Sequence, residues 1–418
     1  MATYYIDVIN GTDENDGLSP EKAKKDHRSI NVKAGDKVLF KRGSFIRDTL
    51  NITEGEDNAP ITYGAYGDGE KPTFCASTDV SSVSDWIETD KKNVWKCVKA
   101  IPGDVGNFVF GDGDCSAVFR WNKEELSGQG DFNDSRFAQG EQYRRNYSEQ
   151  EVLLYSEKNP AEYYGHIEAV SYAKRSIGTL KSNIIIEDLR VMNSGVHGFA
   201  GAGKNVIIRN CDFENIGGCG WNRDLKIRFG NAVEFWTYAE DVLVENCTFK
   251  NVYDSCITHQ GPGEKTIPAL RFNCRGNTFD TYGMAAFEYR DKLPIDSSFT
   301  NNVCKNAGCG FAMLGEELPR KSEIWPQPMG HHIFLWRIPK ATEGGNLVIS
   351  GNEFGPAPVG AAIYSIISPE AEAQMTIDNN KYTKNDVLIN RFGGENFADL
   401  MEYVRKTGKD KSSAYIGE

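Results

Sequence analysis

From residue 182 onward the chain repeats one short pattern, an apolar run, then Asn, Asp or Gly, then an apolar residue two or three places on. The copies begin with Ile184-Ile185-Ile186-Glu187-Asp188-Leu189 and Val206-Ile207-Ile208-Arg209-Asn210-Cys211-Asp212-Phe213. They continue with Val242-Leu243-Val244-Glu245-Asn246-Cys247-Thr248-Phe249 and Phe272-Asn273-Cys274-Arg275-Gly276-Asn277-Thr278-Phe279. Three more stand around Asn301, Gly351 and Asn379. Between the anchors Asp188, Asn210, Asn246, Gly276, Asn301, Gly351 and Asn379 the gaps are 22, 36, 30, 25, 50 and 28 residues, so the shortest is one bare coil and the excess is loop. A period in the low twenties, built on β-branched residues with Asn or Gly at the turn, predicts an all-β solenoid, the right-handed parallel β-helix. Asn tolerates the left-handed backbone that such a turn requires, and stacked Asn side chains can bond from coil to coil. Leu189, Cys211, Cys247, Asn277, Asn302, Asn352 and Asn380, one place past the anchors, should therefore form an internal column.

A second strand follows each anchor, as in Val252-Tyr253-Asp254-Ser255-Cys256-Ile257 and Tyr282-Gly283-Met284-Ala285-Ala286-Phe287. Extra residues collect at 217–230 and 315–330, where they should rise as loops beside one face. Earlier segments (residues 4–8, 35–40 and 61–67) read as strands of the first coils. Residues 104–169 break the period and read as a β-rich insertion within one β-helix domain spanning 1–418. Near the end, Phe397, Leu400, Met401 and Val404 have helical spacing, and Gly408 closes them, so residues 396–407 read as a capping helix that covers the open end.

Composition narrows the function. Formal charge is −12, which argues against phosphate-backbone binding, so no nucleic acid partner is expected. No run of 18 apolar residues offers a membrane span. The opening Met1-Ala2-Thr3-Tyr4-Tyr5-Ile6-Asp7 lacks a charged segment followed by an apolar one, so as written the chain is expected in the cytoplasm. A secreted protein whose signal had been removed would begin in the same way. The ten cysteines form no CxxC pair and several recur at one repeat position, so they read as small buried hydrophobes.

The densest polar cluster lies in the central coils: Gly230-Asn231-Ala232-Val233-Glu234-Phe235-Trp236, Tyr253-Asp254-Ser255-Cys256-Ile257-Thr258-His259-Gln260-Gly261 and Phe287-Glu288-Tyr289-Arg290-Asp291. Aligning these strands by their apolar positions puts Glu234, Thr258 and Glu288 in one column. Glycoside hydrolysis needs two carboxyls, about 5 Å apart for retention and roughly 6.5–9.5 Å for inversion. Rungs about 4.8 Å apart offer the first spacing on adjacent coils and approach the second on the next but one. Glu234 sits among Val233, Phe235 and Trp236, surroundings that suit a general acid; Asp254 reads as nucleophile or base, and Glu288 as a further candidate. The plainer alternatives are a solvent-facing Glu234, a turn-capping Asp254 and a surface ion network of Glu288, Arg290 and Asp291. His259, Gln260, Trp236, Arg290, Asp291, His197, Arg228 and Trp325 are the expected sugar contacts. His331 and His332 lack the carboxylate partner that a metal motif needs, and no cofactor is called for. Asp13, Asn15 and Asp16 suggest Ca²⁺, but Lys24 occupies the place of the twelfth-position Glu, which favours a capping turn.

Gly11-Thr12-Asp13-Glu14-Asn15-Asp16-Gly17-Leu18-Ser19-Pro20, followed by Gly35-Asp36-Lys37-Val38-Leu39-Phe40-Lys41-Arg42-Gly43, resembles the opening coil of bacterial β-helix repeat proteins of the carbohydrate-active kind. Leu154-Tyr155-Ser156-Glu157-Lys158-Asn159-Pro160 with Ile167-Glu168-Ala169 resembles their inserted region, and Thr407-Gly408-Lys409-Asp410 their closing segment. The resemblance implies glycoside hydrolases of β-xylosidase-like or fucosidase-like type, polysaccharide lyases or uronate epimerases. The Tyr-Gly-Phe-Asp-Pro-His signature of alginate epimerases is absent. The expectation is an exo-acting glycoside hydrolase with a carbohydrate substrate. Its alternatives are a polysaccharide lyase using Arg223, Lys226, Arg228 and Arg290 on a uronate, and a non-catalytic glycan-binding solenoid.

Overall fold

The computed structural model describes residues 1–136, 151–222, 226–314 and 329–417. It is a parallel β-helix, the architecture that the repeat predicts. Each complete coil contributes one strand to each of three parallel ladders. The first ladder runs from Ser176–Leu180 through the starts of His197–Arg209 and Val233–Glu245 to Ser255–Gln260, Ala285–Arg290, His331–Ile338, Ile363–Ile367 and Ile389–Arg391. The second holds Ile184–Glu187, Leu270–Arg275, Ser297–Thr300 and their equivalents, together with the early strands Thr3–Ile6, Lys37–Lys41 and Ile61–Tyr66. The third has ten strands, from Phe45–Ile46 to Ala414–Tyr415.

The turn chemistry is the one that the anchors require. Asp188, Asn210, Asn246, Gly276, Asn301, Gly351 and Asn379 all have φ between 50° and 70°, the left-handed region open to Gly, Asn and Asp. The column one place past them is buried throughout. In its lower half the backbone N–H of Asn277 donates to Asn302 Oδ1 (2.9 Å), that of Asn302 to Asn352 Oδ1 (3.0 Å), and that of Asn352 to Asn380 Oδ1 (3.0 Å). The buried N–H groups of this column are thus satisfied by the same residue one coil on. Phe213, Phe249 and Phe279 stack at 4.8 and 4.9 Å beside them.

The chain leaves the solenoid after Thr73–Cys75 and returns at Ser176–Leu180. The excursion carries a five-stranded and a three-stranded sheet, mainly antiparallel, around a core of Trp86, Phe108, Phe110, Phe119 and Phe132. It starts earlier than the break in period at residue 104. Trp86–Glu88 and Val94–Cys97 are ordinary strands that a period reading cannot tell from coils. At the other end the helix is Leu400–Thr407, capped by the Asp399 carboxylate on Glu402 N–H and by left-handed Gly408. It is shorter than residues 396–407 because Glu395–Phe397 pairs antiparallel with Ile389–Arg391. Among the described residues no helix is long and apolar enough to cross a membrane.

Candidate active site

Side chains of the first ladder alternate between interior and surface, so residues at one register position align across coils. Glu234 pairs with Thr258, Thr258 with Glu288 and Glu288 with Phe334. Two places along, Trp236 pairs with Gln260, and Arg290 with Trp336. These outward columns meet a cleft of about 280 Å³ whose walls include Arg175, Trp221, Phe229, Met284, Met329 and Trp336. The antiparallel pair Cys219–Asn222 with Ile227–Phe229, within the 36-residue gap between Asn210 and Asn246, supplies one side.

Glu234 is 3% exposed and lines this cleft. Its Oε2 accepts from Asn231 Nδ2 (2.7 Å) and Gln260 Nε2 (3.0 Å), with His197 Nε2 at 3.5 Å. Asn231 also donates its backbone N–H to His197 Nδ1 (3.0 Å) and accepts at Oδ1 from Ser255 N–H (3.0 Å). With Nδ1 an acceptor, the neutral ring carries its proton on Nε2, facing Glu234. Burial holds the His197 imidazole below its usual range, against the opposing pull of the Glu234 charge. Asp254 lines the same cleft and accepts the Gly230 N–H at Oδ2 (2.9 Å). The Gly230-Asn231 step therefore ties both acids to one stretch of backbone.

Glu288 is fully enclosed behind this layer. Its carboxylate accepts from Ser255 Oγ (2.6 Å), Trp336 Nε1 (2.9 Å) and Arg290 Nε. The Arg290 guanidinium lies over the Trp336 ring at 4.6 Å and lines the cleft. Asp291 stands outside the cleft lining, bonded to Thr266 Oγ1 and paired with Arg337.

The remaining expected contacts divide in the same way. Gln260 reaches the cleft, whereas His259 shares the parity of Phe235 and Tyr289 and points into the solenoid. It is fully buried, neither ring nitrogen has a hydrogen bond, and desolvation pushes its pKa down to about 4. Arg228 borders the cleft, but its guanidinium donates to the carbonyls of Gly218 (2.6 Å), Ala312 (2.6 Å) and Gly106, between Phe119 and Tyr253. It fastens the hairpin to the insertion instead of presenting donors to a ligand. Trp325 and Arg223 lie outside the described residues. His331 and His332 bond to Ala361 N–H and to Tyr282 and Gly355. Asp13, Asn15 and Asp16 are engaged by Asp26 N–H, Ala23 O and Leu18 N–H, the bonds of a capping turn. Sequence reading missed Arg175 and Trp221, and gave Asn231, within the polar cluster, no role. Only Asn231 left a signal, two places ahead of the strand Val233–Glu245 and in the column of His197 and Ser255.

No family model matches the chain. Over 100 residues, 22% of this chain, it is 32% identical to a lacto-N-biosidase of Bifidobacterium longum subsp. longum, and it spans 6% of that protein's length. A solved structure described as a glycoside hydrolase superposes with a TM-score of 0.51 at 8% identity, covering 98% of this chain and 99% of the other. XylC in complex with xylose gives a TM-score of 0.48 at 12% identity over 99% and 82% of the two chains. Pectate lyase Pel9A gives 0.45 at 14% over 100% and 78%. The chain thus shares its fold with the structure described as a glycoside hydrolase.

Proposed function

We propose that the protein is a glycoside hydrolase that releases sugar from the end of an oligo- or polysaccharide, with Glu234 and Asp254 as its essential carboxyls. The observation that carries this reading is that both acids line one cleft walled by Trp221, Trp236 and Trp336. Tryptophan faces stack on sugar rings, and paired carboxyls are what cleavage of an acetal needs. Oε2 of Glu234 is occupied by amide donors, while its Oε1 makes no hydrogen bond to a described residue and is the atom that serves a leaving oxygen. Asp254 then acts as nucleophile or base. Glu288 holds Arg290 and Trp336 in place. The cleft has room for one ring and its glycosidic bond, which suits a chain end.

The test is turnover by Glu234→Gln and Asp254→Asn on the glycan that the wild type cleaves. Each should lose about 10²–10⁴-fold in kcat with an unchanged circular dichroism spectrum. On an aryl glycoside whose leaving group needs no proton, Glu234→Gln should recover most of its rate and Asp254→Asn should not. Wild-type turnover in both variants refutes the assignment. Arg175 and Arg290 in the same cleft favour a second reading, a lyase acting on a uronate. Release of an unsaturated product that absorbs in the ultraviolet decides for it.

A further inference from the structure

A second asparagine ladder runs along the turn between the third and first ladders. Asn193, Asn215 and Asn251 all take left-handed backbone (φ 52°, 56° and 60°). Asn251 Nδ2 donates to Asn215 Oδ1 at 2.7 Å, and Asn215 Nδ2 to Asn193 Oδ1 at 3.0 Å. Every amide thus donates toward the preceding coil. That coil is where the chain departs into its insertion, so the ladder ends without a further asparagine. The Nδ2 of Asn193 makes no hydrogen bond to any described residue, although Asn193 is only 2% exposed.

Asn193 lines a second cleft, of about 400 Å³, between the insertion and the solenoid, and this cleft shares no lining residue with the first. Its charged and aromatic walls are Phe45, Arg47, Asp112, His166, Glu168, Arg190 and Glu214. Arg47 grips Glu168 with two bonds (2.5 and 2.7 Å), His166 Nε2 lies 2.9 Å from the same carboxylate, and Arg190 pairs with Glu214. Phe45 is 46% exposed, with the Arg47 guanidinium 5.0 Å from its ring centroid.

This chemistry selects by charge. Each guanidinium is already matched by a carboxylate and Asp112 adds a further one, so an anionic ligand is repelled, while a cationic ligand would still meet the two guanidiniums. A hydroxyl both donates and accepts, and can bond to either half of each pair. An open amide donor and an aromatic surface complete what a pyranose requires. We infer that this cleft is a second, non-catalytic site for a neutral carbohydrate, independent of the chemistry assigned to Glu234 and Asp254.

Methionine methyls separate the two sites, because Met192 lines the second cleft and Met284 and Met329 line the first. Protein labelled with ¹³C at the methionine methyls is titrated with the methyl β-glycosides of glucose, galactose, xylose and N-acetylglucosamine. Glucuronate and glucosamine serve as charged comparators. At least one neutral glycoside should shift the Met192 signal saturably, equally in wild type and Glu234→Gln. Phe45→Ala, an exposed change that leaves the core intact, should weaken that response at least tenfold, and Asn193→Ala should do the same. The proposal is overturned if no neutral glycoside moves Met192, if a charged comparator moves it more strongly, or if the response survives both substitutions. Silence at Met192 with a response at Met284 and Met329 sinks this site and leaves the hydrolase reading standing.

Discussion

Nε2 of His197 stands 3.5 Å from Oε2 of Glu234, and both side chains are almost wholly shielded from water. Because the Asn231 N–H fixes the ring tautomer, His197 offers Glu234 a donor and orients it without taking its proton. His197→Phe should lower kcat about 10²-fold, as a small displacement of a reacting group does, with KM changed much less. His197→Gln, which keeps a donor, should restore part of the loss. A fall in KM-limited binding alone, with kcat intact, would contradict the positioning role.

Glu288 separates the same idea from its neighbour. Its partners Ser255, Arg290 and Trp336 make it a support, so Glu288→Gln should retain turnover to within about tenfold in folded protein. It should still cost about 3 kcal/mol of stability, because Arg290 is left without its counter-ion. Urea denaturation and kcat measured on one preparation check both halves. Loss of turnover on the scale of Glu234→Gln, with stability unchanged, would return Glu288 to the chemistry.

His259 predicts a pH effect. Its folded pKa of about 4 lies below the unfolded value near 6.5, so the unfolded chain takes up the proton first. The stability tied to the neutral ring is complete above the unfolded pKa, declines as pH falls through this window, and is gone below the folded pKa. His259→Leu should remove that slope between pH 6.5 and 4. It should also raise stability at pH 7 by about 1–2 kcal/mol, since it deletes two buried nitrogens without partners. Denaturation curves at pH 7 and pH 5 read the difference, and an undiminished acid slope in the variant would exclude His259 as its source.

Much of this was legible in residue types. Seven anchors of Asn, Asp or Gly marked left-handed turns, and the column containing Glu234, Thr258 and Glu288 followed from aligned alternation. The same alternation could have placed His259 inside, since it shares the parity of Ile257. The position of Arg175, Trp221 and Arg228 could not be read this way, because loops and the insertion deliver them and no period governs those segments. Arg228 illustrates the difficulty. A basic residue beside a cleft suggests a ligand contact, but its acceptors are carbonyls near residues 106, 218 and 312. Trp336 reaches Glu288 across the widest gap in the repeat, whose loop length hides the register.

The internal asparagines carry a stability prediction of their own. Asn302→Ala removes the acceptor of the Asn277 N–H and the donor to Cys274 O. Leaving such groups buried and unpaired costs about 1–3 kcal/mol each. The urea midpoint should fall accordingly, while the surface variant Lys305→Ala should scarcely move it. Equal midpoints for the two would mean that stacking alone holds the column.

The Arg228 clamp has a consequence for how the cleft can change. Its bonds to Gly106, Gly218 and Ala312 go to main-chain oxygens, so side chains elsewhere on the hairpin and the insertion can change without touching these three contacts, whereas Gly106 and Gly218 leave no room for a side chain. The side chains lining the cleft on the hairpin can then vary while these three contacts stay in place. Grafting a new hairpin sequence around unaltered Arg228, Gly106 and Gly218 is therefore a direct route to altered selectivity on the same frame.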